Sequence, residues 1–146
     1  MPTVIRFDRH KLIAEVEKNV KTALKLTGRG LVNRIRESME STEGSTAGSA
    51  PGVVSGRLQD SITWASTYGA RSRAGGRASP FDGVNKPKVT PGFQSVVIGS
   101  NVPYALALEL GSKTSRGKKR RVKARPYLWP ALRGGKDIII ESFSRV

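Results

Sequence analysis

Between residues 8 and 40, apolar side chains return at helical intervals: Leu12, Val16, Val20 and Leu24, then Leu31, Ile35 and Met39. Ile13, Ala23 and Val32 widen the stripe. Steps of three, four and seven place these residues on one face of an α-helix, and Asp8 stands where an N-cap is needed. Gly28 and Gly30 interrupt the pattern, each costing about 1 kcal/mol relative to alanine in a helix interior. The expectation is a long helix kinked near Thr27–Gly30, or a helix pair breaking there. The stripe reads first as core packing and second as a face shared in part with a neighbouring subunit.

The rest of the chain is shorter in its rhythm. Residues 41–56, STEGSTAGSAPGVVSG, form a small-residue linker with little helix or strand propensity. In SGRLQDSITWAS, Leu58, Ile62 and Trp64 are expected to point inward, with a helical turn leading into a strand at Ile62–Trp64. Residues 67–92 are rich in Gly, Arg, Ser and Pro, with Arg71, Arg73, Arg77, Lys86 and Lys88 against a single acid, Asp82. So long a connection reads as a protruding hairpin loop or a disordered one, and Arg71, Arg73 and Arg77 are interface candidates. Ser95–Ile98 reads as a buried strand and Gly99-Ser100-Asn101 as a turn.

Pro103 suits the first turn of a helix reaching Leu110, with Gly111 at its C-cap. Pro126 suits another helix start. Pro130 lies four residues further on and kinks or restarts that helix. Ile138, Ile139, Ile140 and Phe143 suit a last helix beginning near Asp137. The fold class is therefore α+β. A long N-terminal helix and a C-terminal helix pack on a small antiparallel sheet, with long flexible loops. At 146 residues the chain reads as one domain. It divides into a helical region (1–40), the linker (41–56) and an α+β core (57–146) with loops at 67–92 and 112–124.

Composition narrows the chemistry. The chain has no cysteine and one histidine, His10. Disulfides, thiolate metal sites and multi-histidine sites within one subunit are excluded. No Ser-His-Asp order, paired-acid motif or phosphate-cradling glycine loop appears, and Gly28–Gly30 is only a fragment of a nucleotide fingerprint. Neither an enzyme nor a cofactor is expected. No apolar run approaches the roughly 20 residues of a membrane span, and the start, MPTVIRFDRHK, lacks the apolar core of a signal peptide. Assembly in a cytoplasm is the expectation.

With 26 basic residues against 11 acidic, the formal charge is +15. That excess calls for a polyanionic neighbour or a strongly acidic protein surface. Eight of the cations fall between 113 and 125: Lys113, Arg116, Lys118, Lys119, Arg120, Arg121, Lys123 and Arg125, with no acid among them. This run reads as a loop facing DNA phosphates or an acidic docking surface, or else as a solvated loop. It has no interleaved aromatics, so base stacking on it is not expected, and backbone contacts would position it without reading sequence. Glu109, the lone acid nearby, suits an ion pair with Arg125, within or between subunits, or reads equally as a simple exposed carboxylate. Trp129, adjacent to Leu128, faces another direction and suits an interface anchor.

The order of elements from Gln94 to Leu132 also resembles a known family. A strand ending in Val97-x-Gly99 leads to Pro103-Tyr104-Ala105, then Glu109, Gly111-Ser112, a variable loop and Ala124-Arg125-Pro126-Tyr127-Leu128-x-Pro130-Ala131-Leu132. This is similar to the HK97 tail-component family of long-tailed phages. Ser55-Gly56-x-Leu58-x-x-Ser61-Ile62 resembles a further element of that family, with Gln59 where the family commonly has arginine. The resemblance covers about 55–65 and 95–132. It implies a virion structural protein at the head–tail junction, a neck or tail-completion ring through which the genome passes. The implied partners are copies of itself in a hexamer or dodecamer, the adjoining head-closure and tail proteins, and genomic DNA held without sequence preference. A tail-terminator role belongs to the same class. A small basic nucleic-acid-binding protein is the competing class, which composition alone also supports.

Overall fold

The structure is a computed structural model that describes residues 8–40, 48, 50–52, 56–112 and 122–146. Most of the 41–56 linker and most of the basic run lie outside them. Helix α1 (Arg9–Glu40) is continuous over 32 residues. Asp8 caps it as expected: its Oδ1 accepts from the backbone N–H groups of His10 and Lys11 at 3.1 and 3.2 Å. Short helix α2 (Arg57–Ser61) leads into strand β1 (Thr63–Ser66), and strand β2 (Val96–Gly99) follows the long connection. Helices α3 (Ala105–Leu110), α4 (Leu128–Arg133) and α5 (Lys136–Ser144) complete the chain. The two strands pair antiparallel, with Thr63 opposite Gly99 and Ser66 opposite Val96. The architecture is α+β, with N- and C-terminal helices around a two-stranded sheet.

The expected break in α1 is absent, and the two glycines have another purpose. A Cβ on Gly28 would lie 2.6 Å from the Trp64 ring, and one on Gly30 would lie 2.5 Å from Ile138 Cγ2. At both places a neighbouring element rests against bare helix backbone. The helix propensity lost at each glycine is offset by a close approach that buries Trp64 to 3% exposure. Ile35, Met39, Leu58, Ile62, Val102, Ala105 and Tyr127 complete the core around it. Leu58, Ile62 and Trp64 point inward as their spacing required.

Only part of the α1 stripe is covered. Leu24, Leu31, Ile35 and Met39 are buried, whereas Leu12, Ile13 and Val16 are about half exposed. The cover ends where α5 ends. Asp137 lies 3.5 Å from Arg34, Ile138 packs on Gly30, and Ser142 and Arg145 lie beside Leu26. Helix α5 therefore runs back along α1 and stops short of its first turns. Among the described residues, nothing covers the apolar face of those turns.

The strand at Val96–Gly99 is less buried than its sequence suggested. Val97 is exposed, because among the described residues no second layer covers the outer face of the two-stranded sheet. The prolines sit where helices tolerate them. Gly111, at φ +76°, ends α3. Pro130 falls within the first turn of α4, where its missing N–H has no intrahelical partner to lose.

Substituting Gly28 by alanine is expected to destabilise the protein by about 1–3 kcal/mol, the usual range for overpacking, although alanine is the better helix former. Denaturant titration of Gly28→Ala alone and with Trp64→Leu checks this. The double variant is expected to recover part of the loss.

Candidate functional site: a basic groove along α1

The polar side of α1 carries Lys18, Lys21, Lys25 and Arg29 at steps of three and four, followed by Asn33 and Arg36. That spacing lines them along one face of the helix. Facing them is the segment after β1. It turns back so that Arg71 bridges Ala65, while Ser72 donates its N–H to the Trp64 carbonyl at 2.9 Å and accepts the Trp64 N–H on Oγ at 2.9 Å. Extended backbone there sends Arg71 and Arg73 to the same side, and both are exposed.

Between helix and segment lies an open cleft of about 700 Å³. Its lining comprises Lys18, Lys21, Thr22, Lys25, Arg29, Val32, Asn33, Arg36, Trp64, Ala70, Arg71, Ser72 and Arg73, seven cations and no acid. Arg36 is partly buried and donates from Nη2 to the Ile62 carbonyl at 2.8 Å, which fixes its place in the wall. None of the ion pairs among the described residues involves a groove cation. With no acid in its lining among the described residues, the groove gathers positive potential. It can hold anions by charge and by donors from lysine, arginine and asparagine side chains.

The residues singled out in the sequence fall in different places. Arg71 and Arg73 enter this groove. Arg77 does not: it pairs with Asp60 at 2.8 Å, donates a further bond to Gln59 Oε1 at 3.0 Å, and pins its segment to α2. Asp82, 5% exposed, is held likewise by Arg57 at 2.9 and 3.0 Å. Asn101 adds a bond from its side chain to the Gly83 carbonyl at 2.6 Å. The 67–92 connection is therefore neither a free hairpin nor a disordered loop in its first two-thirds, because two arginine–carboxylate pairs fasten it to the body without any neighbour.

Glu109 also serves the fold. Its carboxylate accepts the backbone N–H groups of Tyr127, Leu128 and Trp129 at 2.9, 3.0 and 2.9 Å. It caps α4 from a distance, satisfying the otherwise unpaired donors of that helix start. The Arg125 N–H donates to the Leu108 carbonyl at 2.7 Å, and Tyr127 is buried beneath the joint. Burial, with Glu109 and Tyr104 nearby, pushes the Tyr127 phenol up to about 12. Trp129 is 61% exposed, with the Arg133 guanidinium 5.7 Å from its ring centre. Lys123 is exposed. Lys113, Arg116, Lys118, Lys119, Arg120 and Arg121 lie outside the described residues. The bridge between Ser112 and Val122 closes the base of that run.

The groove lysines were readable in the sequence as a second helical period, opposite in character to the apolar stripe. What the sequence could not show is that the segment around Arg71 folds back across from them. Among the described residues no cluster of three or more His, Cys, Asp or Glu could hold a metal ion, and no helix is long and apolar enough to cross a membrane. Comparison with protein-family models, curated proteins and solved structures gives no match.

The Arg77 hydrogen bonds hold the Asp60 carboxyl at about 2, below its ordinary 3.8, so the pair's stabilisation is complete above about pH 4 and is lost as pH falls toward 2. Asp60→Asn is expected to flatten that acid limb in pH-dependent denaturation. Glu109→Gln is expected to cost about 1–2 kcal/mol of stability at neutral pH, the range for lost helix caps, in thermal or denaturant unfolding.

Proposed function

We propose that this protein is a virion structural subunit at the head–tail junction of a long-tailed phage, assembling into a neck or tail-completion ring around the DNA channel. The observation that carries this reading is the first part of α1, which leaves the body with Leu12, Ile13 and Val16 uncovered. An apolar helix face of this kind in a strongly charged chain marks a protein–protein surface. Leu106, Leu110, Trp129 and Ile140, each more than 60% exposed, add apolar surface on other elements. A projecting helix on one part of a subunit and apolar surface on another suit heterologous contacts, the geometry that closes rings. The sequence resemblance supplies the setting, and the charge of +15 suits a subunit beside packaged DNA.

A free nucleic-acid-binding protein is the second reading, and the basic groove favours it. The two diverge in stoichiometry and in what depends on the gene. The ring reading expects a closed oligomer by native mass spectrometry, density for this chain at the neck of purified particles, and unjoined heads and tails when the gene is lost. A monomer at all concentrations, with intact particles formed in its absence, would overturn it. Leu12→Asp/Val16→Asp is expected to abolish the oligomer while leaving helicity by circular dichroism unchanged, since both side chains already meet solvent in the monomer.

A further inference from the structure

The cations of the 113–125 run are one place to look for a nucleic-acid contact, and the groove along α1, with cations on both walls, is another. We infer that this groove is a sequence-independent site for the phosphodiester backbone of nucleic acid, with Lys18, Lys21, Lys25 and Arg29 on one wall and Arg71 and Arg73 on the other. The inference rests on the proposed place of the protein beside DNA and names the surface that would meet it.

Three observations select this ligand class. First, the helix cations form a row. From Lys18 to Arg29 the helix rises roughly 17 Å, at 1.5 Å per residue, long enough for the row to follow several consecutive phosphates of one strand. Second, the opposite wall is basic too, so a strand lying in the cleft meets cations from both sides and no carboxylate. Third, the apolar floor is closed. Trp64 is 3% and Val32 3% exposed, so bases have no aromatic face to stack on and a peptide has no open apolar pocket to fill with an anchoring side chain. A row of charges without anchors fits a regular linear polyanion better than an acidic peptide. Contacts from such a row to phosphates position a strand without reading its sequence.

The test uses the full-length protein, a 30-base-pair DNA duplex, the corresponding single strand and a glutamate homopolymer, each titrated by fluorescence anisotropy over a series of salt concentrations. Wild-type protein is expected to bind both nucleic acids with steep salt dependence, and the homopolymer at least tenfold more weakly. Replacing Lys18, Lys21, Lys25 and Arg29 by glutamine is expected to lower affinity at least tenfold near physiological salt and to reduce the duplex salt slope by about 3–4, at roughly 0.9 for each phosphate no longer neutralised. Arg71→Gln/Arg73→Gln, on a separate element, is expected to reduce the slope by about 1–2 on the same scale, so a folding defect in one variant does not decide the matter. A charge-matched control carries Lys118→Gln, Lys119→Gln, Arg120→Gln and Arg121→Gln. If the control loses as much as the groove variants, total charge and not the groove is responsible, and the inference fails. It also fails if the groove variants bind as wild type, or if the homopolymer binds as tightly as DNA. These outcomes leave the ring reading standing on its own oligomer and particle measurements. Conversely, a monomeric protein whose groove variants show the expected fall in slope would retain the groove and remove the ring.

Discussion

The indole of Trp64 rests on helix backbone where Gly28 leaves room for it, and most of the chain is arranged around that contact. Because Trp64 belongs to β1, seating it on α1 fixes the sheet against the helix. Strand β2 is then placed by its register with β1, and α3 by the turn that follows β2. The same device recurs at Gly30, where Ile138 brings α5 back to the helix on which the fold began. Two glycines in one helix thus receive elements from distant parts of the chain. A helix bearing side chains at both positions would hold the sheet and α5 several tenths of an ångström or more away, and the core between them would be looser.

The acids are distributed with equal purpose. Asp8 and Glu109 satisfy helix N–H groups, and Asp60, Asp82 and Asp137 each hold an arginine from another part of the chain. These five carboxylates fasten the fold, while the lysines and arginines that line the groove make no ion pair among the described residues. Uneven pairing, rather than the net charge alone, is what concentrates positive potential on one face.

Long periodic or strongly punctuated segments were legible in the sequence. The α1 stripe, its Asp8 cap, the inward trio Leu58, Ile62 and Trp64, and the Gly111 helix end all follow from spacing and local backbone preference. What escaped the sequence was set by partners far along the chain. Gly28 and Gly30 looked like breaks because local propensity cannot register Trp64 or Ile138 waiting opposite. The 67–92 segment looked free because Asp60 and Arg57, which tie it down, lie outside it. The capping role of Glu109 could not be read, because its three converging N–H groups come together only once α4 has docked. The groove was half visible: the helical row of cations could be counted, but not the wall that faces it.

The bridge between Ser112 and Val122 carries a consequence of a different kind. It joins the two strands of chain that lead into and out of the basic run, immediately after α3 and before the segment that docks α4. With the stem closed in this way, the number of residues between its two ends is decoupled from the body's geometry. Lengthening a closed loop costs only about 0.6 kcal/mol per doubling. The segment between Ser112 and Val122 can therefore be lengthened without renegotiating the core, and an experimenter can place an affinity tag or a fluorescent label there on the same terms.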